Sequence, residues 1–137
     1  MSGRNFTTVA EVMSHELQTI NGLASVRQAI DQMNRARVGS LIIERRHEGD
    51  EFGLVTVYDI AREVVAKNRS FERVSVYEIM RKPVVTVSAG MNIKYAIRQL
   101  ARLGLTRALV TREDTLVGIV TQRDMVARFA DQSHRPD

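Results

Sequence analysis

The chain contains an internal repeat, which limits its possible folds more than any other feature of the sequence. A leader that ends in Met occurs twice, at residues 9–13 and 76–80. The segments Gly53–Asp59 and Gly118–Asp124 follow the same pattern of Gly, two apolar residues, Thr, two variable residues and Asp. The leaders lie 67 positions apart and these later segments lie 65 positions apart. The two halves therefore predict two units of the same fold.

Each half predicts the order helix, strand, helix, strand, strand, helix. Apolar residues at helical spacing indicate one longer helix per half: Val26, Ala29, Ile30 and Met33, then Ile93, Ala96, Ile97 and Leu100. The short branched runs at 41–43 and 109–110 are typical of buried strands. Capping-box spacings at Thr8 and Ser75 predict the start of each leading helix. We expect the longer turn between the paired strands in the first half.

These boundaries define repeat 1 at residues 8–67, a linker at 68–74, repeat 2 at 75–130 and a polar tail at 131–137. One repeat alone buries too little apolar surface to be stable, and an amphipathic sheet needs a cover. We therefore expect an α/β (α+β) fold in which two pseudo-two-fold-related β-α-β-β-α repeats pack sheet to sheet.

Composition excludes several classes of protein. The chain has no Cys, so it has no disulfide, thiolate metal site or cysteine nucleophile. No run of about 18 apolar residues and no signal-peptide pattern is present, so we expect a cytoplasmic location and no membrane contact. The segment His15-Glu16 begins like a zinc motif but has Thr19 where the second His must lie. We predict no metal site, no catalytic residues and no enzymatic activity.

The net charge of +4 is concentrated in the second half, where residues 71–137 carry eleven basic and seven acidic residues. Aromatic residues make up only 5% of the chain, so stacking platforms for single-stranded nucleic acids are scarce. This composition favours binding of a small anion over binding of nucleic acid.

The repeated Gly-to-Asp segments lie where an apolar strand is followed by a helix. Thr with Asp three residues later is a common helix cap, which is one explanation of the pattern. The other is ligand binding, because backbone N–H groups at a helix start can hold phosphate and an ionised Asp can accept hydrogen bonds from two ribose hydroxyls. The second occurrence in register favours ligand binding.

Residues 8–130 resemble tandem cystathionine-β-synthase (CBS) domains, a pair known as a Bateman module. The resemblance rests on the Met-terminated leaders, on the stretch Val38–Ile42 and on both Gly-to-Asp segments. It implies a free-standing regulatory module with a cleft between the repeats. That cleft would take AMP, ADP, ATP or S-adenosylmethionine as a regulatory ligand, with no required cofactor and no catalysis.

The family pattern, carried over residue by residue, implies ribose contacts at Asp59 and Asp124. It places Thr56 and Thr121 beside the phosphate or the ribose. The short strand after each leader would offer backbone groups to the base, at Thr19, Ile20, Thr86 and Val87.

Phosphate contacts are implied at Arg107, whose counterpart in the first half is Ser40. Lys82 and Arg123 are further basic candidates, with His and Tyr at the matching positions of the first half. An alternative for Arg123 is a solvated residue in the first turn of a helix. The second half therefore predicts the better phosphate site.

Two other functions remain open at this point. The chain could be an interaction module without functional pockets, or, less in keeping with its composition, a nucleic-acid-binding protein. A module without an attached enzyme implies a separate, unidentified effector protein. We also expect a homodimer formed by the longer and the last helices of each repeat, because their apolar residues exceed one buried face: Met33, Ala61, Val64, Val65, Leu100, Met125, Val126 and Phe129.

Overall fold

The computed structural model describes residues 6–81 and 84–133 and has a mixed α and β fold with two three-stranded sheets. The helices are α1 (Val9–Val12), α2 (Val26–Ala36), α3 (Val57–Ile60), α4 (Val76–Ile79), α5 (Ile93–Leu103) and α6 (Gln122–Ser133), with a π-helical segment at Ala61–Val65. The strands are β1 (Thr19–Ile20), β2 (Ser40–Ile43), β3 (Gly53–Thr56), β4 (Thr86–Ser88), β5 (Arg107–Arg112) and β6 (Thr115–Thr121). Within the described residues, every helix is too short or too polar to cross a bilayer.

The chain packs as two compact units. The central unit is continuous and spans Gln18–Val84, whereas the split unit combines Met1–Leu17 with Val85–Asp137. In both units a short edge strand runs parallel to the middle strand, and the middle strand pairs antiparallel with the third, in the orders β1-β2-β3 and β4-β5-β6. The predicted order of elements is confirmed in both halves.

Each unit has its own apolar core, built from one face of the longer helix against the sheet. In the central unit α2 contributes Val26, Ala29 and Met33 to the core. In the split unit α5 contributes Ile93, Ala96 and Leu100. The sequence periodicity predicts these inward faces, and the capping boxes at Thr8 and Ser75 form as predicted.

The leading helices pack in the unit that contains the other repeat. Ser14, after α1, exchanges backbone hydrogen bonds with Ile119 of β6 at 2.8 and 3.1 Å. Arg81, after α4, exchanges them with Leu54 of β3 at 2.8 and 3.0 Å. The boundaries of the packed units therefore differ from those of the sequence repeats, because backbone pairing holds each leader to a strand of the other copy.

Glycine makes this docking possible, because the leader Met packs where a side chain would otherwise stand. A Cβ atom at Gly118 would lie 2.5 Å from the Met13 sulfur and 2.9 Å from the Ser14 carbonyl oxygen. At Gly53 the equivalent distance to the Met80 sulfur is 2.6 Å. The Met-terminated leaders and the Gly of each Gly-to-Asp segment therefore have a shared structural role.

We predict that Gly118→Ala lowers the free energy of unfolding by about 1–3 kcal/mol, because the added methyl group collides with a backbone oxygen as well as with Met13. Gly90→Ala is the matched control, since nothing lies within 4 Å of its added Cβ. Urea denaturation of both variants measures the difference. Equal stabilities would contradict the close approach at Gly118.

The segment 68–74, which the sequence suggests as a linker, is anchored within the central unit. Val26 donates its backbone N–H to Val74 at 2.8 Å, and Arg27 donates to the carbonyl of Phe71 at 2.9 Å. Arg27 also pairs with Glu72 at 2.9 Å. These contacts cover the start of α2 and hold the segment in place.

The apolar residues expected at a dimer interface divide into two groups. Met33, Val64, Leu100 and Met125 are buried in the cores of the units, so the expectation that they cover another chain is wrong. They point inward because their helices need these positions to cover the sheets. In contrast, Val65, Val126 and Phe129 are exposed by 55%, 48% and 37%, so some apolar surface does remain.

Candidate functional site

The two Gly-to-Asp segments occupy equivalent positions at the end of the third strand of each sheet. Thr56 lies opposite Ser40 in the central unit, and Thr121 lies opposite Arg107 in the split unit. Val57 and Gln122 directly follow these two threonines. Each donates its backbone N–H to a backbone carbonyl in the loop before the middle strand, at 3.0 and 2.7 Å. This shared register confirms the alignment of Arg107 with Ser40.

An open pocket of about 620 Å³ lies in the split unit where β6 leads into α6. Its lining residues are Thr106, Arg107, Thr121, Gln122, Arg123, Val126 and Ala127. The residues of the pocket thus combine two guanidinium groups, two threonine hydroxyls and the backbone at the start of a 12-residue helix. Such a set of donors suits an anion.

Both arginines of this pocket are available for a ligand. Within residues 6–81 and 84–133, neither Arg107 nor Arg123 forms an ion pair. Arg107 begins β5, whereas Asp114 lies in the turn after the end of that strand. Asp114 therefore does not neutralise Arg107.

Asp124, beside the lining residue Arg123, has an exposed side chain. Its backbone N–H donates to the hydroxyl of Thr121 at 3.1 Å, so Thr121 caps the start of α6. No described residue donates a hydrogen bond to the Asp124 carboxylate. Its oxygens are therefore free to accept hydrogen bonds from a ligand.

Asp59, the counterpart of Asp124, is fully buried and its oxygens are already bound. Oδ2 accepts from the backbone N–H of Thr56 at 2.9 Å and from its hydroxyl at 3.0 Å. Oδ1 accepts from Arg62 at 2.8 Å and from Arg81 at 3.1 Å. The same sequence pattern therefore has two different environments in the two halves.

The pKa of Asp59 reflects this environment. Burial acts to raise the pKa, but the hydrogen bonds from Thr56 and Arg81, together with the charge of Arg81, outweigh it and lower the pKa below its usual value. The ionised form of Asp59 is consequently the one that the folded protein stabilises.

The edge strands also differ between the halves. In β1, Ile20 is buried and the carbonyl of Thr19 accepts from the side chain of Gln32 at 2.9 Å. In β4, Val87 is buried and Thr86 is exposed, and no side chain of the described residues donates to Thr86. Thr86 therefore leaves its edge of the sheet open to a ligand.

The structure brings three of the sequence-predicted residues together at one pocket: Arg107, Thr121 and Arg123. Thr86 and Val87 lie in the same sheet, with β5 between their strand and β6. Thr19, Ile20, Ser40, Thr56 and Asp59 belong to the central unit. Lys82 lies outside the described residues.

The sequence reasoning missed several residues of these two environments. Thr106, Gln122, Val126 and Ala127 complete the pocket, and Arg62 and Arg81 bind Asp59. The sequence indicates the contact of Arg62 with Asp59, because residues of opposite charge three positions apart on a helix can pair. Arg81 has no such signal, since it lies 22 residues from Asp59 and no local pattern joins the two.

Comparison with curated proteins identifies relatives that are themselves longer. An uncharacterized protein of Methanopyrus kandleri is 28% identical over 121 residues, which cover 87% of this chain and 61% of that protein. The chain spans between 32% and 61% of the length of the first four curated relatives that it matches.

Solved structures share the fold over nearly the whole chain. A hexameric CBS-CP12 protein from bloom-forming cyanobacteria is 34% identical with a TM-score of 0.84, covering 96% of this chain and 75% of its own. The CBS domain pair of protein MJ0100, in complex with 5′-methylthioadenosine and S-adenosyl-L-methionine, is 23% identical with a TM-score of 0.77 and covers 93% and 98% of the two chains.

The family model of the CBS domain matches the chain twice, over residues 9–66 and 76–131. Each match contains one leader and one Gly-to-Asp segment. Since these two matches cover most of the sequence, the chain belongs to the CBS domain family as a tandem pair.

Proposed function

We propose that this CBS pair is a regulatory module that binds an adenosine compound, namely AMP, ADP, ATP or S-adenosylmethionine, and signals to a separate effector protein without catalysing a reaction itself. The observation that carries the proposal is the pocket of the split unit. There Arg107, Thr121 and Arg123 line a pocket of about 620 Å³, and Asp124, next to Arg123 in the sequence, has a carboxylate that accepts no hydrogen bond from the described residues.

The chemistry of these groups suits the three parts of a nucleotide. The carboxylate of Asp124 can accept hydrogen bonds from two ribose hydroxyls. Arg107 and Arg123 can each donate to phosphate oxygens. The backbone N–H groups at the start of α6 carry partial positive charge and add further donors. The edge strand β4, where Thr86 is exposed and Val87 is buried, can offer backbone groups to the base.

A relative supports the ligand class. The CBS domain pair of protein MJ0100 is in complex with two adenosine compounds, so a chain of this fold can hold them. Both of those compounds contain adenosine, but only some members of the proposed ligand class carry phosphate. Arg107 and Arg123, which form no ion pair with the described residues, favour the phosphorylated members.

A thermal-shift panel of AMP, ADP, ATP, S-adenosylmethionine and adenosine tests the proposal. A ligand present at 100 times its dissociation constant adds about 2.7 kcal/mol to the free energy of unfolding, which raises the melting temperature by several degrees. Guanosine nucleotides serve as the matched controls. No shift with any adenosine compound would contradict the proposal and favour an interaction module.

We predict that Arg107→Ala weakens ATP and ADP binding about tenfold or more, while adenosine binding changes little, because the guanidinium donates to phosphate. Arg112→Ala, at the other end of β5, is the matched control for charge removal. Isothermal calorimetry with ATP and adenosine measures both affinities. An equal loss for the two ligands would show that Arg107 supports the fold of the pocket instead.

Self-association is part of the proposed mechanism. Val65 in the π-helical segment and Val126 and Phe129 in α6 leave apolar side chains exposed on the last helices of the two repeats. The related cyanobacterial protein is hexameric, which shows that one relative assembles with copies of itself. A dimer that covers these side chains would bring copies together next to the pocket residue Val126.

We predict a homodimer at micromolar concentration, because exposed apolar patches gain free energy when a second copy covers them. Light scattering measures the mass in solution. The double variant Val126→Asp with Phe129→Asp is expected to give the monomer mass, while Tyr95→Asp, on α5, controls for surface charge. A folded wild-type monomer would contradict this prediction.

A further inference from the structure

We infer that Arg62 and Arg81 close the first-half counterpart of the ligand site, so that each chain holds one adenosine ligand, in the split unit. This inference rests on the proposed function. It assigns to two arginines a role in setting how many ligands the protein takes.

The first step is the saturation of Asp59. A carboxylate offers about four lone-pair positions, and four donors already approach this one. Thr56 supplies two of them to Oδ2, and Arg62 and Arg81 supply one each to Oδ1. With no exposed surface left on Asp59, a ribose could bind there only by displacing the arginines.

Hydrogen bonds from the arginines and from a ribose would compete for the carboxylate of Asp59. A guanidinium-carboxylate hydrogen bond is charged on both sides and is roughly twice as strong as one between neutral groups. A ribose hydroxyl is neutral, and its exchange would also separate a buried carboxylate from two cations. Asp59 therefore retains its arginines in preference to a ribose.

Asp124 has no arginine at the position equivalent to Arg81. Arg81 directly follows the leader of the second repeat, pairs with Leu54 of β3 and reaches Asp59. The equivalent residue in the split unit is Ser14, which directly follows the first leader and pairs with Ile119 of β6. Serine is too short and carries no charge, so the leader delivers no cation to Asp124.

The second cation is missing for a similar reason. Arg62 lies three residues after Asp59, and Ala127 lies three residues after Asp124. Ala127 also lines the pocket of the split unit, so an arginine at that position would extend a guanidinium into the space proposed for the ligand. Two substitutions between the halves thus separate a closed environment from an open one.

A reciprocal exchange tests this inference by calorimetry with AMP, ATP and S-adenosylmethionine as probes. The wild-type protein is expected to bind one equivalent per chain. The double variant Ser14→Arg with Ala127→Arg is expected to lose at least tenfold in affinity, whereas Ser14→Gln with Ala127→Gln, similar in length but uncharged, loses less. The double variant Arg62→Ala with Arg81→Ser is expected to gain a second equivalent.

The outcomes separate the inference from the proposed function. Two equivalents on the wild-type protein, or an unchanged single equivalent on the folded Arg62→Ala with Arg81→Ser variant, would overturn the inference and leave the proposed function standing. If that variant does not fold, unchanged affinity of the Ser14→Arg with Ala127→Arg variant overturns the inference instead. If neither the wild-type protein nor either exchange variant binds any of the probes, the inference and the proposed function are both overturned.

Discussion

Asp59→Ala is expected to lower the free energy of unfolding by about 2–4 kcal/mol, because the change removes the Asp59 side of the capping box of α3 and the buried acceptor of two arginines. The arginine side chains are about half exposed, so water takes over part of their solvation and keeps the loss below that of a fully buried pair. Urea denaturation followed by circular dichroism measures the loss.

Asp124→Ala is the matched control, and it is expected to cost at most about 1 kcal/mol. In the wild-type protein only the backbone N–H of Asp124, and not its carboxylate, has a partner among the described residues. Similar losses for the two variants would contradict the different environments of the two aspartates.

The dependence on pH provides an independent measure of the same contacts. Because the pKa of Asp59 is lowered in the folded state, its ionised form stabilises the protein above the unfolded pKa of about 3.9. This stabilisation is lost as the pH falls through the folded pKa. The stability difference between the wild-type protein and Asp59→Asn should therefore be largest near neutral pH and narrow in acid.

The second large effect concerns ligand affinity and falls on the other aspartate. Asp124→Ala is expected to weaken adenosine-ligand binding by about ten- to a hundredfold, which corresponds to about 1.5–3 kcal/mol for a lost set of charged hydrogen bonds. Asp59→Asn, which preserves the size of the side chain, is expected to have a smaller effect. Isothermal calorimetry compares the two variants, and equal losses would reject the asymmetry.

Local patterns in the sequence predict much of the fold. The helical spacing in α2 and α5, the capping boxes and the branched strands all report on neighbours within a few residues or on one buried face. The repeat adds a second, independent copy of each signal. For this reason the sequence alone predicts the element order and the alignment of Arg107 with Ser40.

The environment of Asp59 could not be predicted in the same way. Its contact with Arg81 depends on the leader of the second repeat pairing with Leu54 of the first, and no periodicity encodes that choice of partner. The two aspartates are identical in local sequence pattern, so the pattern alone suggests equal sites. The difference arises from contacts with residues outside the pattern, Arg62 and Arg81.

The apolar positions of the last helices show the same limit. Val64 and Val65 are neighbours, yet the first is buried and the second is more than half exposed. Met125 is buried and Val126 is exposed in the same manner. Composition predicts an excess of apolar surface on these helices, but only the packed structure determines which residues supply it.

The split unit has consequences for how the protein folds as it is synthesised. The central unit is one continuous segment, so the ribosome releases all of it before β4 emerges. Val9, by contrast, belongs to a core whose other buried members begin at Val87, and Gln132 donates a hydrogen bond to Thr7, 125 residues earlier. We expect the central unit to fold first, while the apolar side chain of Val9 stays exposed until the segment from β4 to α6 has been synthesised.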